Sequence, residues 1–342
     1  MPTIIFTISN APGTVHKFKS LKKNGYRVVG CDANPDAVGR FFADAFYVVP
    51  LQNRPEYRDA LLDIVKKEKA DLLVAGEGES PILIEICDAF SALGCKLIAT
   101  DLNTLQFALD KVKLFTFLSE EINIPLPEFF PVESLQDFDI GMKRIKNPKK
   151  CIKPAIASGS RGFVILNDKM IKADDFFRKK PGFSELTIDS FRSMLKASER
   201  IPKLILMEYL EDTNYDTTMI CRDGEILFQS IRTREEAKLG TIIKGQIVED
   251  DEIYGINKTI AEILNTTGYI STQFIGNKLI EINPRWSTTL TYQSINEYIF
   301  GIKIFTGEEM NINPDDIKNY PGIKMLRYWD VLTYKDGEGL VE

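Results

Sequence analysis

Hydrophobic and polar positions fall into two patterns along the chain. In the first hundred residues short apolar runs alternate with stretches of helical spacing. Thr3–Ile8 is β-rich, His16–Asn24 is a polar helical stretch, and Arg27–Cys31 is a second apolar run ending at Asp32. Pro55 then opens a helix with apolar residues at Leu61, Leu62 and Val65, followed by strand Leu72–Ala75, helix Ser80–Leu93 and strand Lys96–Ala99. Strands that alternate with helices predict a parallel sheet covered on both faces, an α/β arrangement.

Beyond about residue 110 the apolar runs lengthen. Lys150–Lys153, Gly162–Leu166, Leu204–Tyr209, Thr217–Cys221 and Glu225–Ile231 are β-rich, and their spacing predicts an antiparallel, α+β body. Near the C-terminus Met325–Asp330 is a β-like run with aromatic residues, expected to add a strand or to make a contact in a homodimer.

Composition narrows the function classes. With 342 residues and 44% hydrophobic content the chain can bury more than one core. The formal net charge is -6, with 43 basic and 49 acidic residues interspersed, so no broad positive field invites a nucleic acid. The one basic cluster, Lys143–Lys150, contains Asn147 and Pro148 and reads as a solvated loop. No run approaches the ~18 apolar residues that span a bilayer, and the N-terminal run is too short for a signal segment, so a soluble, cytoplasmic protein with no membrane partner is expected. Five scattered cysteines without a CxxC pair argue against a disulfide framework or a zinc site. The lone histidine, His16, has no companions for a metal site or a triad and is read as a loop or helix-start residue.

Candidate chemistry sits at strand ends. Ser9-Asn10-Ala11-Pro12-Gly13 follows the first strand but lacks the GxGxxG spacing that brings backbone to a pyrophosphate. Gly76-Glu77-Gly78-Glu79 ends a later strand on the same edge, where it either faces a ligand or forms a plain acidic turn. Lys153-Pro154 precedes the small-residue loop Ala157-Ser158-Gly159-Ser160-Arg161-Gly162, which can bend over phosphates while the lysine supplies a point charge. Leu204–Leu210 is an apolar strand broken by Glu208, and its end can meet an adenine edge through backbone groups; a core strand is the alternative.

The run Glu281-Ile282-Asn283-Pro284-Arg285 carries the metal hypothesis. Residues two apart on a strand share a face, so Glu281 and Asn283 offer a carboxylate and an amide oxygen side by side, hard donors suited to Mg²⁺. A three-residue loop, Gly276–Lys278, puts Gln273 opposite Glu281 on that face. A two-residue loop pairs Gln273 with Ile280 and separates them, so a site that includes Gln273 requires the odd loop, with a bulge.

In their order and separation, Asp110-Lys111, Lys153 with its loop, Met207-Glu208-Tyr209-Leu210 and Glu281-Ile282-Asn283-Pro284-Arg285 resemble the ATP-grasp superfamily, specifically the short single-chain relatives of the carbamoyl-phosphate synthase large subunit. The resemblance runs over nearly the whole chain. It implies a Rossmann-like pre-ATP-grasp domain over residues 1–109, a two-lobed ATP-grasp fold over 110–310 with its small nucleotide-covering lobe at about 125–206, and an extension over 311–342. It implies ATP and one or two Mg²⁺ ions as cofactors. Lys111 and Lys153 would contact the phosphates under a loop holding Ser158, Gly159, Ser160 and Gly162. Glu208, Tyr209 and Leu210 would receive adenine, and Asp216 would face ribose. Gln273, Glu281 and Asn283 would hold metal, although many relatives carry a carboxylate where Gln273 stands. Arg285 would reach the γ-phosphate or an acyl phosphate, acting with Lys153 as the catalytic pair.

Arg234 and Lys244, in a cation-rich stretch, would bind a substrate carboxylate or phosphate, unless that stretch is a solvated surface hairpin. Trp286-Ser287-Thr288-Thr289 departs from relatives that carry glycines there, and the Trp286 ring either narrows the acceptor pocket or packs on a neighbouring helix. The implied activity is a carboxylate–amine ligase acting on small molecules. The alternatives are a carbamoyl-phosphate-synthase-like subunit of a larger assembly and a nucleotide-binding regulatory protein without turnover.

Overall fold

The computed structural model describes residues 1–157, 161–169, 184–238, 240–286, 291–292, 295–308, 322–335 and 339–340. The N-terminal βα text folds as expected. β1 (Thr3–Phe6), α1 (Thr14–Lys23), β2 (Arg27–Asp32), β3 (Ala45–Val48), α2 (Glu56–Glu68), β4 (Leu72–Val74), α3 (Ser80–Ile84), α4 (Cys87–Ala92) and β5 (Lys96–Ile98) build one sheet in the order β3-β2-β1-β4-β5, every pair parallel. β1 is buried along its length because helices cover both faces of the sheet. His16 lies in α1, and Pro55 caps α2. The single helix expected over Ser80–Leu93 is two, α3 and α4, parted where the Ile86 N–H turns back to the Leu83 carbonyl.

After α5 (Leu102–Ala108) and α6 (Lys111–Glu121), a second sheet holds β6 (Phe129–Val132), β7 (Lys150–Pro154), β8 (Val164–Asn167), β9 (Ser184–Thr187) and β10 (Leu204–Glu208) in the order β6-β10-β7-β8-β9. α7 (Leu135–Arg144) and α8 (Ile188–Ala197) pack Phe138, Phe191 and Leu195 against it. All its pairs are antiparallel except β8 with β9.

The third sheet positions the site. β11 (Asn214–Arg222), β12 (Glu225–Thr233), β13 (Glu236–Lys238), β14 (Thr241–Val248), β15 (Gly268–Ile275) and β16 (Lys278–Asn283) run antiparallel in the order β13-β14-β12-β11-β15-β16. α9 (Asp251–Leu264) covers the apolar face, where Ile253, Ile260 and Leu264 meet Ile270, Phe274, Leu279 and Ile282. After the two-residue strands β17 (Thr291–Tyr292) and β18 (Ile295–Asn296), α10 (Glu297–Thr306) returns to the N-terminal sheet. There Tyr298, Phe300, Ile302 and Ile304 share one core with Ile4, Phe6, Phe18, Leu72 and Tyr269.

The run Met325–Asp330 does supply a strand: β19 (Lys324–Leu326) pairs with β14. The chain then crosses back to the N-terminal sheet, with an Arg327 guanidinium N–H bonded to the Pro12 carbonyl and the Tyr334 hydroxyl to Asp36. No helix among the described residues is long and apolar enough to cross a membrane.

Candidate active site

One rung of the third sheet carries four polar residues on a single face: Arg232 on β12, Asp216 on β11, Gln273 on β15 and Glu281 on β16, each directly opposite the next. On the neighbouring rung Ser271 faces Asn283. The other face of the same strands is core, so alternation along each strand separates the two environments.

β16 achieves this through an irregularity. Strict alternation in Lys278-Leu279-Ile280-Glu281-Ile282 would put Leu279 and Glu281 on one face, yet Leu279 and Ile282 are both buried in the core. A bulge resolves the conflict: Gln273 pairs with Glu281, Phe274 with Leu279, and Ile280 is left over. Gln273 therefore lies opposite Glu281 as the metal hypothesis required, but by a two-residue turn, Gly276-Asn277, plus a bulge rather than by a three-residue loop. The Ile280 carbonyl receives the Lys153 ammonium at 3.2 Å.

Lys153 comes from β7 of the second sheet and Lys111 from the first turn of α6, whose N-cap Asp110 accepts the Val112 and Lys113 N–H groups. Lys111 Nζ donates to the Ala157 carbonyl at 2.8 Å and lies 3.2 Å from a Glu281 oxygen. Burial opposes charge on Glu281, but Lys153, Lys111 and Arg285 outweigh it and hold its pKa below the usual carboxylate value. Burial also pulls the Lys153 ammonium below its ordinary range, partly opposed by Glu281. Arg285 donates from Nε to Glu77 Oε2 at 2.8 Å and from Nη2 to Asn283 Oδ1 at 3.0 Å. Two sheets and the start of α6 thus meet around the Glu281 carboxylate, and the first sheet reaches it through Glu77 and Arg285.

The remaining expected residues separate into groups. Arg234 joins the site: desolvation lowers its pKa, while Asp216 and Glu281 favour its charge. Lys244 does not. Arg232 is registered with Ile247, so Lys244, three residues earlier on β14, projects from the opposite face, where it is exposed and pairs with Glu235 at 2.8 Å. Asp216, expected at the ribose, is buried in the rung among Arg232, Arg234 and Arg285 and accepts a hydrogen bond from Ser271; burial raises its pKa and the arginines partly restore it.

The Glu208 carboxylate is engaged by Lys278, the Glu128 N–H and the Asn147 amide. The Glu208 and Tyr209 N–H groups already donate to the Glu128 and Lys149 carbonyls. The Glu208 carbonyl is approached by the Cys151 thiol at 3.8 Å. Gly162, at φ +71°, has no room for a Cβ beside Pro154. Ser158, Gly159 and Ser160 lie outside the described residues, as do Ser287, Thr288 and Thr289. Trp286 packs rather than lining an open pocket, stacked on Tyr269 at 4.1 Å and tilted against Tyr298 of α10 at 5.3 Å.

Sequence reasoning missed Arg232 as a buried anchor, paired at 3.5 Å with Glu297 at the start of α10 and bonded to Thr218 and Ser230. It also left Glu77 undecided. The signal for Glu77 was its place at the carboxyl edge of the parallel sheet.

Two family models match the chain: one described as a PylC-like N-terminal domain over residues 7–98, and one described as an ATP-grasp in the biosynthetic pathway with Ter operon over residues 200–319. The second span runs from β10 through α10 and contains the rung, Asn283 and Arg285. Over this span the chain matches an ATP-grasp family model.

Solved structures share the fold over most of the chain. The biotin carboxylase domain of Hydrogenobacter thermophilus 2-oxoglutarate carboxylase, a dimer in complex with MgADP, ADP and bicarbonate, is 15% identical with a TM-score of 0.64, covering 92% of this chain and 71% of that one. N5-carboxyaminoimidazole synthetase from Staphylococcus aureus is 15% identical with a TM-score of 0.61, covering 90% and 78%. Biotin carboxylase from Campylobacter jejuni, in a β,γ-ATP complex, is 14% identical with a TM-score of 0.62, covering 91% and 72%. At these identities the likeness concerns the fold.

Proposed function

We propose that this protein is an ATP-grasp enzyme, an ATP-dependent carboxylate–amine ligase that activates a small carboxylate as an acyl phosphate. The observation that carries the reading is the convergence of Lys111, Lys153 and Arg285 on Glu281 and Asn283 from separate elements. Phosphoryl transfer needs fixed charges around developing oxyanions more than it needs a general base. The lysines and Arg285 supply the positive ones.

Glu281, Asn283 and Gln273 present oxygen donors on one face, a set that fits Mg²⁺ completed by phosphate oxygens and water. The ion would supply further charge neutralisation at the phosphates.

A substrate carboxylate oxygen attacks the γ-phosphorus; a C–O–P linkage forms, the bond to the β-phosphate oxygen breaks, and ADP leaves. An amine then attacks the acyl carbon; a C–N bond forms, the C–O bond breaks, phosphate leaves, and the nitrogen releases a proton. Arg234, half-buried near Asp216, is our assignment for the substrate carboxylate, and the end of β10 for adenine.

The test is phosphate release from Mg-ATP against pooled amino acids and small carboxylic acids, bicarbonate included, with Glu281→Ala in parallel. Release that requires a carboxylate and an amine, and is lost in the variant, supports the ligase. Failure of the unmodified protein to bind Mg-ATP overturns the site.

A further inference from the structure

The acidic turn after β4 reaches from the N-terminal sheet to a phosphate-side residue, and we infer that Glu77 is a positioning residue, clamping Arg285 so that its remaining guanidinium edge faces the terminal phosphoryl group. This rests on the nucleotide reading above. It adds that the phosphoryl-transfer site is incomplete without the N-terminal domain.

The geometry is specific. Glu77 and Arg285 are 208 residues apart in sequence, yet Nε lies 2.8 Å from Oε2, with the two side chains 37% and 19% exposed for arginine and glutamate. Asn283 holds Nη2. Two of the three guanidinium nitrogens are thereby fixed, and the planar fork cannot rotate without breaking one of these bonds. An exposed ion pair of this kind would contribute little; this one is partly buried and shares its arginine with a candidate metal ligand.

The turn that presents Glu77 is itself built to be rigid. Buried Glu79 accepts hydrogen bonds from the Thr7 hydroxyl and the Gly76 N–H, and the Ser80 N–H and hydroxyl both return to the Gly76 carbonyl. A Cβ at Gly76 would collide with Ile8 and with Glu79. Burial raises the Glu79 pKa while Thr7, Tyr57 and the Gly76 N–H oppose that shift, so a desolvated carboxyl holds the turn against β1. A loop with no task beyond joining a strand to a helix has no need of such a network. Pre-orienting the arginine removes rotamer freedom before the nucleotide arrives.

The experiment compares calorimetric affinities for Mg-ADP and for the non-hydrolysable triphosphate Mg-AMP-PNP in the full chain. The variants are Glu77→Ala, Glu77→Gln, Arg285→Ala and the Glu77→Ala/Arg285→Ala pair. Glu77→Ala should weaken AMP-PNP by about fivefold or more while ADP stays within about twofold, and should have no further effect once Arg285 is gone. Glu77→Gln, which still accepts from Nε, should recover part of the loss and carries the test if Glu77→Ala does not fold.

An unchanged ratio of the two affinities, tighter AMP-PNP binding in Glu77→Ala, or an equal loss in both arginine backgrounds overturns the positioning role. If the unmodified protein binds neither nucleotide, the nucleotide reading falls first and takes this one with it.

Discussion

At the scale of single residues, the site is a problem of placing charge in a poorly solvated space. Glu281 is held ionised by Lys153, Lys111 and Arg285 against its own burial. Its folded pKa lies below its unfolded value, so its ion pairs contribute fully above the unfolded value of about 4.3 and are lost as the pH falls through the lower, folded one. The stability difference between the unmodified protein and Glu281→Gln, read from urea midpoints, should therefore be constant from about pH 6 to 8 and shrink below about pH 4. Growth of the difference in acid would contradict the assignment.

Arg232 and Glu297 make a different case, almost wholly buried and bonded to Ser230 and Thr218. Glu297→Ala removes the buried ion-pair partner of Arg232 and should cost about 3–5 kcal/mol in the same assay. Lys244→Ala, on the far face of the sheet, should leave Mg-ADP affinity unchanged; a large loss would place that lysine in the site after all.

At the scale of elements, close approach and register decide more than propensity does. α10 lies so near β15 that a Cβ at Gly301 would overlap the Tyr269 hydroxyl, which bonds to the Glu297 carbonyl while its ring is stacked on Trp286. The ring has nowhere to go, so Gly301→Ala should destabilise by about 1–3 kcal/mol, measurable by denaturant unfolding. The sequence reading singled out neither this helix nor the contact, which is set by packing between segments distant in sequence. The bulge in β16 was partly legible: Leu279 and Ile282, both apolar and three apart, cannot share a face in a regular strand. Turn length alone misled, because the extra residue sits inside the strand and not in the turn.

At the scale of the molecule, the N-terminal sheet and the third sheet are joined through α10, whose Tyr298, Phe300 and Ile302 share a core with Ile4, Phe6 and Phe18. Separation would expose that surface to water. Calorimetry should accordingly show the two bodies unfolding in one transition, and Phe300→Ala should lower the midpoint of both together. Two resolved transitions would mean that the shared core couples them weakly.

The sequence by itself determined the parallel βαβ order of the first hundred residues, the antiparallel body after it, and the strand Glu281–Asn283 with both oxygen donors on one face. These follow from local periodicity and from residue chemistry, which a chain carries wherever it goes. Tertiary structure alone decided that Lys153 from one sheet and Lys111 from a helix start would meet Glu281 from another. It also decided that Lys244 would face away, and that Glu77 would reach Arg285 across 208 residues. Those outcomes depend on register, on one bulge and on how two sheets dock, and each is set by packing between segments that are distant in sequence.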